Sequence, residues 1–205
     1  QNPIRNPVSV EYSGIYHATV LLDGCTNTAS TTVIVNPTPA PPWVKWLTYC
    51  QFYDAPYLQA IGSNILWYTS SAPGTVGSTI PPKPSTDVVG VKFYFTNQTA
   101  LGCSSAIDSI RVAINPTPTV TVSPDVTVCP WDSVVLTAVN TDAIAYYHWY
   151  PAMYVNDTTA ASVLVRPETN MEYSVVSSNM YGCTDTASVN VTVKANAVIN
   201  LPDSV

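Results

Sequence analysis

Apolar and polar side chains alternate along much of this chain. Thr119-Val120-Thr121-Val122, Ser133-Val134-Val135-Leu136-Thr137-Ala138-Val139 and Ser188-Val189-Asn190-Val191-Thr192-Val193 show the pattern most clearly. A period of two sends the valines to one face of a strand. Val, Thr, Ile and Tyr dominate these runs, and such residues suit a pleated, half-buried surface. Proline and Asn/Asp/Gly/Ser clusters separate the runs, as turns require. No stretch carries a sustained 3.6-residue apolar stripe with caps. The pattern predicts an all-β chain.

The strands recur as a unit. Asp23-Gly24-Cys25-Thr26, Leu101-Gly102-Cys103-Ser104 and Tyr181-Gly182-Cys183-Thr184 each lead into a Val/Ile/Thr run. Cys25, Cys103 and Cys183 follow one another at intervals of 78 and 80 residues, and Cys50 and Cys129 are 79 apart. Trp67 and Trp149 occupy matching places, and Tyr16, Tyr94 and Tyr173 precede the Gly-Cys cysteines by nine or ten residues. Such self-similarity marks a repeat architecture. The frame gives whole repeats at 37–117 and 118–195. It leaves 1–36 as the C-terminal part of a truncated repeat and 196–205 as the first strand of a following one. The chain thus reads as a window on a longer tandem array. The odd cysteine count of five fits that expectation, since each whole repeat carries two and the partial one carries Cys25.

About seven short strands in roughly 80 residues predict a tandem series of immunoglobulin-like antiparallel β-sandwiches. For 118–195 the strands are expected near 119–123 and 126–129 (A, A′), 133–140 (B), 145–150 (C), 161–166 (E), 171–178 (F) and 184–193 (G). A short C′ or D strand is expected within 151–160. Trp149 on strand C, with Trp67 as its counterpart, is the expected core tryptophan. Tyr173, with Tyr94 as its counterpart, fits a tyrosine corner whose hydroxyl ties the E–F turn. The Asn-Pro-Thr-Pro links at 36–39 and 115–118 favour extended, semi-rigid spacers, which suits an elongated rod.

The cysteines admit two pairings. The intra-repeat scheme joins Cys50 to Cys103 and Cys129 to Cys183. In a sandwich, however, the A′–B and F–G turns lie at opposite ends. A strand of about eight residues spans ~26 Å, whereas a disulfide needs Cα atoms within ~7 Å. The favoured scheme is therefore inter-repeat, joining Cys50 to Cys183. It leaves Cys25, Cys103 and Cys129 to partners outside the chain. Either scheme implies an oxidising compartment.

Composition narrows the function classes. Only 10% of residues are charged, 46% are hydrophobic and the net charge is −6. Disordered chains show the opposite balance. Seven basic residues leave no footprint for nucleic acid, and no apolar run reaches the ~18 residues of a membrane span. No catalytic motif, phosphate loop or zinc spacing occurs, and His17 and His148 suit structural or surface roles. No enzyme activity, metal or cofactor is expected. Trp43, Trp46 and Trp131 stand outside the core positions, where junction packing is favoured over a carbohydrate platform.

Asp-Ser/Thr steps recur at Asp108-Ser109, Asp132-Ser133, Asp157-Thr158, Asp185-Thr186 and Asp203-Ser204. They resemble the O-glycosylation acceptor motif of secreted Bacteroidota proteins, which makes Ser109, Ser133, Thr158, Thr186 and Ser204 candidate acceptors. Turn chemistry is the competing explanation.

Cys129-Pro130-Trp131-Asp132-Ser133-Val134-Val135-Leu136-Thr137-Ala138, with Tyr173-Ser174-Val175-Val176 and Tyr181-Gly182-Cys183-Thr184, resembles the Ig-like/PKD-like repeats of Bacteroidota surface proteins. The resemblance covers nearly the whole chain. It weakens at Cys50-Gln51-Phe52-Tyr53, which lacks the Ser-Val-x-Leu-Thr core, and at the insert from Pro73 to Pro84. It implies a secreted stalk or filament of a large cell-surface adhesin of gliding-motility type, exported by the type IX system. Implied partners are neighbouring repeats of the same fibre and a cell-surface or polysaccharide ligand. The alternative is an accessory carbohydrate-binding or spacer module of a secreted polysaccharide-degrading enzyme.

Overall fold

The computed structural model describes residues 8–72 and 74–195. The strand expected at 196–205, and with it Ser204, lies outside the described residues. Among the described residues, apart from one 3-10 turn, Val10–Tyr12, the regular structure is all strand. Two compact units emerge. The first takes in residues 1–48, 55–85 and 91–113; the second takes in 49–54, 86–90 and 114–205. The second unit therefore draws on both sequence repeats.

In the first unit, β1 (Gly14–Leu22) and β2 (Cys25–Val33) form a two-stranded hairpin. Its two-residue turn, Asp23-Gly24, has both φ values positive, at 47° and 81°. That is the type I′ geometry whose twist matches paired strands. Every residue of the hairpin strands is exposed. Then come β3 (Leu47–Cys50), β4 (Leu66–Tyr68), β5 (Gly90–Asn97), β6 (Thr99–Ala100), β7 (Cys103–Ser104) and β8 (Asp108–Asn115). They build a sheet of order β3-β8-β5-β4 and a small β6–β7 pair. Trp67 on β4 is buried, as are Ile110 and Val112 of β8 and Leu58 of a loop. Tyr94 on β5 is half-buried.

No strand follows Cys50 until β4. Residues 51–65, 69–72 and 74–89 run as loops pinned by isolated bridges, Trp43↔Ile61 and Trp67↔Ser78. Pro56, Pro81, Pro82 and Pro84 each lack the N–H that a ladder needs. The missing Ser-Val-x-Leu-Thr core thus coincides with a missing strand B.

The second unit holds a two-sheet sandwich. Its strands are β9 (Val120–Val122), β10 (Val126–Val128), β11 (Val134–Asn140), β12 (Ala145–Tyr150), β13 (Ser162–Val165), β14 (Met171–Asn179) and β15 (Thr184–Val193). One sheet has order β10-β15-β14-β12 and the other β13-β11-β9. Strand A is divided between them: β9 pairs antiparallel with β11, and β10 pairs parallel with β15. Alternation builds the core, because Tyr173 and Val175 of β14 and Val189 and Val191 of β15 all face Leu136, Ala138, Val163 and Val165 across the sandwich. Trp149 fills its centre with no exposed surface, and its indole N–H donates to Ala160 O at 2.9 Å.

Two expectations need correction. Residues 151–160 form no strand and contribute only the single bridge Val155↔Val165. The Tyr173 hydroxyl donates to Met153 O at 3.2 Å, so it ties the connection after strand C rather than the E–F turn. The local form of the motif appears instead at Tyr16, whose hydroxyl donates to Tyr12 O, four residues back, at 2.8 Å.

Candidate functional site

A set of specific bonds in the second unit surrounds Cys50 and Cys183. Cys50-Gln51-Phe52-Tyr53 forms a β-turn closed by Tyr53 N–H to Cys50 O at 3.2 Å. Phe52, third in the turn, has φ 64°, the type II geometry. The Phe52 N–H donates to Thr86 O at 3.1 Å, and Thr86 Oγ1 donates to Tyr53 O at 2.6 Å. Tyr49 and Tyr53 stack at 5.7 Å. Burial, and then the neighbouring Tyr53, raise the Tyr49 phenol above its ordinary pKa.

Gln51 fixes the end of β8 and the segment that follows it. Its N–H donates to Asn115 O at 2.8 Å, and its carbonyl accepts from Thr117 Oγ1 at 2.8 Å. The opposite partner is the turn after β14. Asn179, only 4% exposed, donates from Nδ2 to Pro116 O at 3.0 Å. Its Oδ1 accepts from Tyr181 N–H and Cys183 N–H, each at 3.1 Å. Gly182 at φ 78° completes the turn. Cys50 and Cys183 are then joined by a disulfide, with Cα atoms 5.6 Å apart. This bridge connects the two sequence repeats, and Pro116 and Thr117 of the link between them are hydrogen-bonded beside it.

The remaining cysteines are free thiols. Cys25 and Cys129 are exposed and Cys103 is half-buried, its Sγ 3.7 Å from Asn36 O. The intra-repeat pairs Cys50–Cys103 and Cys129–Cys183 are therefore not formed. Cys129 nonetheless opens a turn of the same kind as that of Cys50. Asp132 N–H donates to Cys129 O at 3.1 Å, Trp131 has φ 67°, and Trp131 N–H donates to Pro167 O at 3.2 Å. Trp131 packs edge-on against Tyr154, with centroids 6.1 Å apart, while its carbonyl accepts from the Arg166 guanidinium. Its aromatic ring is thus engaged by its own unit.

Among the candidate acceptors, Ser133 and Thr186 are exposed and Ser109 and Thr158 are half-buried. The aspartates beside them make turn bonds. Asp108 Oδ1 accepts from Ser109 N–H at 2.7 Å, and Asp157 Oδ1 accepts from both Thr159 N–H and Thr159 Oγ1 at 2.8 Å. Those two Thr159 bonds, the backbone one first, lower the Asp157 pKa. Among the described residues no group of three or more His, Cys, Asp or Glu side chains could hold a metal ion. Asp125 instead receives Asn190 N–H at 2.8 Å. Asn179 is the functional residue that strand patterning misses. Its signal is the one-residue-longer turn Met180-Tyr181-Gly182, against Asp23-Gly24 and Leu101-Gly102.

No protein-family model matches the chain, and no curated protein does. Solved immunoglobulin-domain structures align weakly. Sidekick-1 immunoglobulin domains 1–4 give a TM-score of 0.36 at 10% identity, covering 92% of this chain and 60% of that one. Murine CEACAM1b gives 0.33 at 16% identity over 72% of this chain and 96% of its own. The insect immune protein hemolin gives 0.30 at 12% identity over 91% and 61%. The chain spans about 60% of the Sidekick-1 chain it matches. The strand orders make the chain all-β, with an immunoglobulin-like two-sheet sandwich in its second unit.

Proposed function

We propose that this chain is a structural segment of an extracellular stalk or filament, built from tandem Ig-like repeats of a large adhesin. The supporting observation is the Cys50–Cys183 bridge, flanked by the Gln51 and Asn179 bonds to residues 115–117. A catalytic domain needs a cleft of converging polar groups; a load-bearing segment needs fixed links between successive repeats. In this reading 37–117 and 118–195 are whole repeats, 1–36 and 196–205 are parts of others, and the array is a rod outside the cell. Hemolin's structure is described in connection with homophilic adhesion, a role in keeping with this class. The finer reading is a type IX-secreted Bacteroidota surface protein, glycosylated at Ser109, Ser133, Thr158, Thr186 and Ser204. Intact mass of the native protein equal to the bare polypeptide would reject the glycans.

The test is a peptide map of the oxidised chain without reductant, paired with small-angle scattering. The expected result is a Cys50–Cys183 peptide and an elongated particle that becomes more flexible in Cys50→Ser. A different pairing, or scattering unchanged by Cys50→Ser, overturns the clamp. The accessory-module alternative draws on Trp43 and Trp46, both strongly exposed. Saturable polysaccharide binding lost in Trp43→Ala or Trp46→Ala would replace the stalk reading with that one.

A further inference from the structure

The β1–β2 hairpin repeats the strand register of the β14–β15 hairpin across a turn one residue shorter. Tyr16 pairs with Thr31 and Ala18 with Ala29; Tyr173 pairs with Val189 and Val175 with Ala187 in the same register. The face carrying Tyr16, Ala18, Val20, Leu22, Ala29 and Val33, with Asn27 and Thr31 as its polar members, thus corresponds to the core face of β14–β15. In the second unit that face is sealed by β9, β11 and β13, and the hairpin's outer edges are paired with β12 and β10. In the first unit the matching face is open. Val20 is 64% exposed and Leu22 70%. The face borders a concavity of about 650 Å³, and among the described residues no other strand pairs with β1 or β2. The reverse face carries His17, Thr19, Thr26, Thr28, Ser30 and Thr32, with Ile15 and Leu21 as its two large apolar residues. A sheet with one apolar face must bury it against another layer.

We infer that this hairpin is an acceptor for the A-to-E portion of an immunoglobulin-like repeat, and the second unit defines the occupant's chemistry. A tryptophan-bearing C strand pairs with β1, an A′ strand runs parallel beside β2, and valine- and leucine-lined B and E strands close the apolar face. The inference rests on the tandem-repeat reading. It adds a specificity rule. Ser177 of β14 accepts a hydrogen bond from Asn140 Nδ2 at 2.7 Å and donates to Tyr146 O at 3.1 Å. Val20 holds the corresponding place in β1 and can accept nothing. The occupant of β1–β2 therefore carries an apolar side chain where β11 carries Asn140, because a buried amide without a partner is costly.

The experiment fuses a second copy of residues 118–170, with Cys129→Ser, ahead of the full chain through a flexible linker. Amide hydrogen exchange is then read at 14–33 and at 171–193. With Asn140→Val in the added copy, exchange at 14–33 is expected to slow at least tenfold, independently of protein concentration. With Asn140 retained the slowing is smaller, and Val20→Ser in the hairpin restores it. Should the fusion fail to fold, seen as lost protection at 171–193, the same segment is added in trans as a synthetic polypeptide. Unchanged exchange at 14–33 in both formats overturns the proposal. So does protection in the unfused chain that rises with concentration, which would make a second copy the occupant. The readout does not involve Cys50 or Cys183, so its failure is separable from failure of the clamp.

Discussion

Leu101 opens the β6–β7 turn at φ 50° and is 73% exposed. A left-handed conformation costs a non-glycine residue roughly 1–2 kcal/mol, and nothing buried repays it at this site. Asn, which tolerates that conformation, is the residue type I′ turns prefer there. Leu101→Asn is expected to stabilise the chain by about 0.5–1 kcal/mol, read as a rise in thermal midpoint. Tyr173 makes a pH prediction. Burial first, and Tyr154 second, raise its phenol above the ordinary 10.0. The folded state therefore keeps a proton that the unfolded state releases. Its contribution is full below pH 10 or so and declines as pH rises through the raised value. Urea melts from pH 8 to 11 should show a shallower alkaline loss in Tyr173→Phe than in the parent. Partial loss remains, because burial raises Tyr49 and Tyr94 as well.

At the scale of elements, the two cysteine turns share a fold but not a tolerance. Position two of the turn is Pro130 in one and Gln51 in the other. Proline suits that position in type II turns. Gln51, however, uses its N–H to hold Asn115 O. Gln51→Pro should therefore cost about 1–3 kcal/mol, because the carbonyl loses its donor. Pro130→Gln should cost only about 0.4–1 kcal/mol, through the unfolded chain. Chemical denaturation of both variants distinguishes the cases, and equal costs would contradict the bonding described. The strands of 118–195 were legible in the sequence because alternation and turn residues agree there. The boundaries of β12 and β15 coincide with the apolar runs. Residues 51–89 were less legible, because their prolines break the pattern without saying what replaces it. The bond from Tyr173 to Met153 spans twenty residues and has no local signature. The repeat made the cysteine positions plain. Which turns meet in space depends on tertiary structure, so spacing alone left two pairings open.

At the scale of the whole molecule, the bridge closes a loop of 133 residues. Loop-closure entropy assigns such a crosslink about 4–5 kcal/mol, less any native strain. Cys50→Ser should lower the urea midpoint by a corresponding amount, and reductant should do the same to the parent chain. The low charge of the chain gives a further reason to rely on covalent and hydrogen-bonded links, since few ion pairs are available to hold repeats in register. Asn179 and Gln51 hold that place here, each joining a turn to backbone carbonyls beside the link.

The bridge also decides where tension travels. A pull on the two ends of the oxidised chain passes from Cys50 straight to Cys183, and the residues between them carry none of it. Strands β9 to β14 then sit inside a slack loop, shielded from the load by one covalent bond, while β15, which carries Val189 and Val191 of the core, stays in the path. Reduction moves the whole loop into the path, releasing up to roughly 440–480 Å of extended backbone. Single-molecule pulling should record that added length only in the presence of reductant, which makes the Cys50–Cys183 link a redox-gated length store.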